Sequence, residues 1–251
     1  MAVNKEGTGY TLGFSAAMVV VVGAILAVAA MALKPAQQEN IKQEKMQNIL
    51  SSVGIEVSRA EAPENFSKYI TQRLVLNASG AVIGTTEGDI DPKNVEDGFN
   101  VDVKKQYKSN KAKATADEDM VYPLFVSNKE GSTYYIMPMV GTGLWGPIWG
   151  FVSVKDDMTT IYGATFDHKT ETPGLGAEIN TTAFEGQFID KAIFADNGAF
   201  MPIKVVKGGA KEGDMHGVDA ITGGTITSDG VTEMLERSLG VYKNYFEQNK
   251  K

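Results

Sequence analysis

Residues Val121–Val140 read VYPLFVSNKEGSTYYIMPMV. Two runs rich in β-branched and aromatic residues, Val121–Ser127 and Ser132–Val140, flank the turn-forming Asn128-Lys129-Glu130-Gly131, which is the pattern of a β-hairpin. The same pattern recurs on both sides. Upstream, Arg73–Leu76 and Ala81–Gly84 flank Asn77-Ala78-Ser79-Gly80; downstream, Phe151–Lys155 and Thr160–His168 lie around Asp156-Asp157. Strands that follow one another directly, with helices near both ends, predict an α+β fold with a mixed, largely antiparallel sheet rather than a doubly wound one. No internal repeat is visible.

Outward of the strands, Val103–Asp119 is mostly polar. Lys104, Lys105, Lys108, Lys111 and Lys113 precede Asp117, Glu118 and Asp119, which predicts a solvated loop or helix face and leaves docking to a partner as the second reading. At the far N-terminus, Leu12–Leu33 (LGFSAAMVVVVGAILAVAAMAL) holds 22 residues without a charge. At 1.5 Å per residue it reaches about 33 Å, enough for the ~30 Å hydrocarbon core. Ala30-Met31-Ala32 resembles a signal-peptidase site, but the run exceeds a usual leader's apolar region and Met1–Thr11 is hardly basic; a retained transmembrane helix is expected. Ala16, Gly23, Ala27 and Ala30 fall near one face of it, as small residues at a helix contact or in any membrane span would. Pro35 is expected to mark the end of the span or a kink. Ile41, Met46, Ile49, Leu50 and Val53 then keep a loose helical register in a juxtamembrane stalk. The expected divisions are a tail at 1–11, a span at 12–33, a stalk at 34–54 and one domain at 55–251. Lysines flank both sides of the span, so charge alone does not orient it.

Composition narrows the chemistry. The 251 residues include no cysteine, which excludes disulfides, thiolate nucleophiles, Cys-ligated metals and CxxCH haem attachment. The two histidines, His168 and His216, do not by themselves make a closed nitrogen/sulfur metal site. Redox work would need an organic cofactor. The net charge is −7, with +1 in residues 1–49 and −8 in the remainder, so nucleic acid is not an expected partner.

Three glycine-marked stretches are the candidate site. Gly141-Thr142-Gly143-Leu144-Trp145-Gly146-Pro147-Ile148-Trp149-Gly150 holds both tryptophans; it reads either as a wide turn with core aromatics or as a place where a flat ligand approaches backbone beside an indole. Glu171-Thr172-Pro173-Gly174-Leu175-Gly176 lacks the third glycine of a dinucleotide fingerprint. Lys207-Gly208-Gly209 is followed by His216–Ser228, which contains Asp219-Ala220-Ile221-Thr222-Gly223-Gly224-Thr225. An amphipathic helix comes next, with Val231, Met234, Leu235, Leu239, Tyr242, Tyr245 and Phe246 on one side. Thr227 or Ser228 is its expected N-cap, with Asp229 in the first turn. Such a helix start suits either an anion or an ordinary capped turn.

Asp219–Thr225 resembles the D-x-x-[ST]-G-A-T flavinylation motif, with Gly224 where alanine is usual. The stretches G-x-G-L-W at Gly141–Trp145, E-T-P-G-L-G at Glu171–Gly176 and K-G-G at Lys207–Gly209 agree with it, as does the single N-terminal span. Together they resemble the covalent FMN-binding family represented by the C subunit of sodium-translocating NADH:quinone oxidoreductases. The resemblance implies an FMN-binding α+β domain, with FMN joined through its phosphate to Thr225 by a flavin transferase, and Asp219 serving either recognition by that transferase or the turn. It implies that Leu144, Trp145, Glu171, Thr172, Gly174, Gly176, Lys207, Thr222, Gly223, Gly224 and Thr227 surround the cofactor, Thr227 being the competing attachment residue. It further implies an electron-relaying protein without an active site of its own, among membrane and peripheral partner subunits. Its domain would lie on the periplasmic side of a bacterial inner membrane. The flavinylated G subunit of the related ferredoxin:NAD complex and a non-redox anchored scaffold are the alternatives.

Overall fold

The computed structural model describes residues 7–113 and 115–250. Residues 1–6 of the expected tail, and Ala114 in the lysine-rich stretch, lie outside the described residues.

Helix α1 spans Thr8–Ser51, 44 residues. Pro35 lies inside it rather than at its end; proline forfeits one helical hydrogen bond, and the turns on either side sustain the helix past it. Its apolar part is long and uncharged enough to cross a membrane once, and none of it is buried. The chain divides into two compact units, one ending at Glu44 and one running Lys45–Lys251. The last turns of α1 thus belong to the second unit, where Ile49, Leu50 and Val53 are fully buried.

In that unit, α2 (Ala62–Tyr69) leads into β1 (Ile70–Leu76) and β2 (Val82–Thr86). Then come α3 (Val103–Lys111), β3 (Tyr122–Lys129), β4 (Ser132–Thr142), β5 (Pro147–Val154) and β6 (Ile161–His168). The short α4 (Thr182–Glu185), β7 (Lys204–Val206), β8 (Gly217–Asp219) and α5 (Thr225–Asn249) complete it. Six strands form one sheet in the order β2-β1-β3-β4-β5-β6, every neighbouring pair antiparallel. A parallel β7–β8 pair stands apart. The expected hairpins are present, and the polar Val103–Asp119 segment carries α3, which buries no residue.

The central strands are apolar almost without interruption because both faces of the sheet are covered. Alternation sends successive side chains to opposite faces: Met137 joins the core beneath α5, whereas its neighbour Ile136 joins the core formed with the end of α1 and α2. Leu124 and Phe125 divide in the same way. On the α5 side, Val231, Met234, Leu235, Leu239, Tyr242 and Phe246 are all buried, as the helical periodicity predicts. Helix α5 comes very close to β4: a Cβ at Gly230 would stand 2.3 Å from the Thr142 carbonyl oxygen. Only glycine permits that approach, and it brings the start of α5 to the end of β4.

A buried ion pair secures the long β2–α3 connection. Arg73 in β1 donates from Nε and Nη2 to both carboxylate oxygens of Asp97 at 2.8 Å, and from Nη1 to the Gly88 carbonyl at 2.8 Å.

Candidate functional site

Parts of all three glycine-marked stretches meet where β4, β6 and α5 end or begin. The tight turn between β4 and β5 closes with Gly143 N–H donating to the Gly146 carbonyl at 2.8 Å. The turn exposes Leu144 and Trp145, the indole being 65% exposed. After β6, the Glu171–Gly176 stretch folds back as a turn that leads into a short 3-10 segment at Gly176–Asn180. The start of α5 provides the third wall. Between them lies an open cleft of about 230 Å³, lined by Leu144, Trp145, Glu171, Thr172, Leu175 and Gly176, and by the consecutive Gly223–Thr227.

Glu171 lies at the junction. It is buried, with 5% exposure. Its Oε1 accepts the Trp145 backbone N–H at 2.8 Å, and its Oε2 accepts the Thr227 hydroxyl at 2.7 Å. Two glycines make room for the carboxylate. A Cβ at Gly143 would stand 2.6 Å from Oε1, and one at Gly176 would stand 2.4 Å from Oε2 and from Thr227 Oγ1.

The expected N-cap is not the observed one. Helix α5 starts at Thr225 with Gly224 as its N-cap and no side-chain cap bond. The hydroxyls of Thr227 and Ser228 are spent elsewhere, on Glu171 and on the Ile221 N–H at 3.2 Å, and both residues are buried. Asp229 accordingly lies past the first turn. Gly223 takes φ +76°, a left-handed value that glycine adopts without strain, and this reversal delivers Thr225 to the cleft as the first helical residue. The first-turn N–H groups of a helix lack intrahelical partners and favour an anion.

The cleft therefore unites Leu144, Trp145, Glu171, Thr172, Gly176, Gly223, Gly224, Thr225 and Thr227 of the expected site. Gly174, Lys207, Thr222 and Asp219 are not among its lining residues. Gly174 sits at φ +76° and donates its N–H to Glu178 at 2.9 Å. Lys207 and Thr222 are exposed. Asp219 ends β8 and accepts the Ala210 N–H at 2.7 Å, tying it to the turn that carries Lys207-Gly208-Gly209. Leu175 and Ile226 also line the cleft, although neither was among the expected site residues. Both are large exposed aliphatics among the glycines and hydroxyls of their motifs, and that placement was the available signal.

The donor set suits a flat aromatic group with a phosphate. Leu144, Trp145, Leu175 and Ile226 supply an exposed apolar rim, while Thr225 and the first-turn N–H groups supply the anion end.

Residues 143–240 match the FMN-binding domain family. The chain is 34% identical to the C subunit of the Na(+)-translocating NADH-quinone reductase of Vibrio campbellii, over 96% of this chain and 94% of that protein. It is 31% identical to the Neisseria meningitidis protein of the same name, over 91% and 88%. Among solved structures, the C subunit from Parabacteroides distasonis shares 40% identity with a TM-score of 0.71, covering 85% of this chain and 96% of that one.

Proposed function

This chain belongs to the C-subunit family of Na(+)-translocating NADH-quinone reductases, and from that premise we propose that it carries FMN covalently on Thr225 and relays electrons between redox centres of the complex. Bound FMN would supply the redox chemistry. The observation that carries the reading is the position of Thr225: the first residue of α5, at a cleft rimmed by Trp145 and Leu144. A phosphoester there keeps one negative charge beside the helix N-terminus, a placement worth about 0.3–1 kcal/mol at an exposed site. Buried Thr227, already bonded to Glu171, is the poorer attachment residue. Leu144, Trp145, Leu175 and Ile226 would hold the ring, and Gly223 and Gly224 allow backbone to approach it.

Co-expression with a flavin transferase, followed by SDS denaturation, tests the attachment. Flavin fluorescence should stay with the wild-type band and vanish from Thr225→Ala; a fluorescent mutant band would overturn the assignment.

The same reading places 12–33 in the membrane and the domain on the periplasmic side, where the flavin transferase would meet it. Because the chain has no native cysteine, Ser79→Cys, at an exposed position of the β1–β2 turn, gives a single thiol. A membrane-impermeant maleimide should label it in cells with a permeabilised outer membrane and intact inner membrane. Labelling only after the inner membrane is broken would reverse the orientation.

A further inference from the structure

We infer that Glu171 is a positioning residue that holds Trp145 in a set relation to Thr225, so that the indole lies against a planar group tethered at that threonine; this rests on the proposed attachment of FMN. The backbone of Trp145 is clamped on both sides. Its N–H donates to Glu171 Oε1 at 2.8 Å, and its carbonyl accepts the Thr170 hydroxyl at 2.9 Å. The indole itself remains 65% exposed. A large aromatic side chain at solvent on a backbone fixed by adjacent residues of another turn is a platform whose backbone ordering cost the fold has already met.

The second carboxylate oxygen connects that platform to the attachment helix. Glu171 Oε2 holds Thr227 at 2.7 Å, and Thr227 lies two residues beyond Thr225 in the first turn of α5. One buried side chain thus bridges the β4–β5 turn and the helix start. Its own turn is held in addition by the Glu171 N–H, which donates to His168 Nδ1 at 3.2 Å. With both oxygens engaged by protein donors, Glu171 acts on the cleft through Trp145 and Thr227. Gly143 and Gly176 keep the space it needs.

An indole in contact with an isoalloxazine ring quenches its emission, which makes the arrangement measurable apart from turnover. The full chain, co-expressed with the transferase and normalised to covalent FMN by peptide mass, is compared with four variants. Flavin emission of the native protein should rise several-fold in Trp145→Ala and in Glu171→Ala. Glu171→Gln should restore most of the quenching lost in Glu171→Ala, because its amide oxygen still accepts the Trp145 N–H and its amide nitrogen can donate to Thr227. Thr227→Val, which cuts only one arm, should fall between wild type and Glu171→Ala. In SDS all five should emit equally per flavin.

Emission as low as wild type in Glu171→Ala, with Trp145→Ala bright, overturns the inference; so does a dark Trp145→Ala. Should Glu171→Ala fail to accumulate, unchanged quenching in Thr227→Val overturns it equally. Wild-type protein without covalent flavin overturns the proposed function and this inference with it.

Discussion

Thr227 donates its hydroxyl to the buried carboxylate of Glu171 at 2.7 Å, across 56 positions of sequence. Thr225, two residues earlier, faces the cleft. Two threonines in the first turn of one helix therefore have different energetic roles. Thr227→Val leaves a buried carboxylate oxygen without its donor and should cost about 1–3 kcal/mol. Thr225→Ala, at a partly exposed first helical position, should change stability by less than about 0.5 kcal/mol. Urea unfolding of the two variants checks this, and equal costs would contradict the burial argument.

Gly176→Ala drives a Cβ to 2.4 Å from both Glu171 Oε2 and Thr227 Oγ1. Neither partner can retreat without breaking the bond between them, so overpacking should cost about 1–3 kcal/mol. Gly224→Ala differs. Its φ of −103° suits any residue, and its Cβ would meet Ile221 Cγ2 at 3.0 Å and Ile221 Cβ at 3.1 Å, so that Ile221 as a whole must give by a few tenths of an ångström. The family's usual alanine should thus be accepted here at under about 1 kcal/mol with flavin attachment intact. Thermal unfolding and flavin-to-protein ratio measure both.

Asp97→Ala strands the Arg73 guanidinium where both partners are 1% exposed. Breaking one side of a buried pair costs about 3–5 kcal/mol, and added salt should not reduce the effect. By contrast, Lys155–Asp190, at 2.6 Å with side chains 37% and 69% exposed, should yield under about 1 kcal/mol on truncation. Denaturant midpoints at low and high ionic strength separate the two cases.

Burial raises the Glu185 carboxyl from 4.5 to about 7, with Glu56 and Asp167 adding repulsion and the Phe166 N–H partly offsetting both. The folded protein binds this proton more tightly than the unfolded chain, so its contribution is fully present below about pH 4.5 and is lost as pH rises to 7. Glu185→Gln keeps an acceptor for the Phe166 N–H and removes the charge. It should be more stable than wild type above pH 7, by on the order of 1 kcal/mol given the side chain's partial exposure, and converge with it below pH 4.5. A constant difference across that range would contradict the assignment.

Much of the fold was legible because the signals are local. The turn at Asn128–Gly131 lies between two apolar runs, and β3 and β4 form on either side of it. The apolar stripe from Val231 to Phe246 becomes the buried side of α5. The parallel β7–β8 pair was not legible, since three-residue strands joined through a long connection leave no periodicity to read. Nor was the Arg73–Asp97 pair, 24 positions apart, because nothing local distinguishes an aspartate that will be buried from one that will not.

The sequence by itself determined the apolar N-terminal helix, the antiparallel α+β sheet and the threonine-bearing motif, each readable from neighbouring residues. Tertiary structure alone decided which hydroxyl is free. Thr227 and Ser228 were equally good caps in one dimension, and packing turned both inward, leaving Gly224 as the cap and Thr225 at the cleft. The physical reason is that a cap is chosen by competition. The Glu171 carboxylate and the Ile221 N–H are brought to those hydroxyls by the folded chain, and neither can be seen from the helix's own sequence.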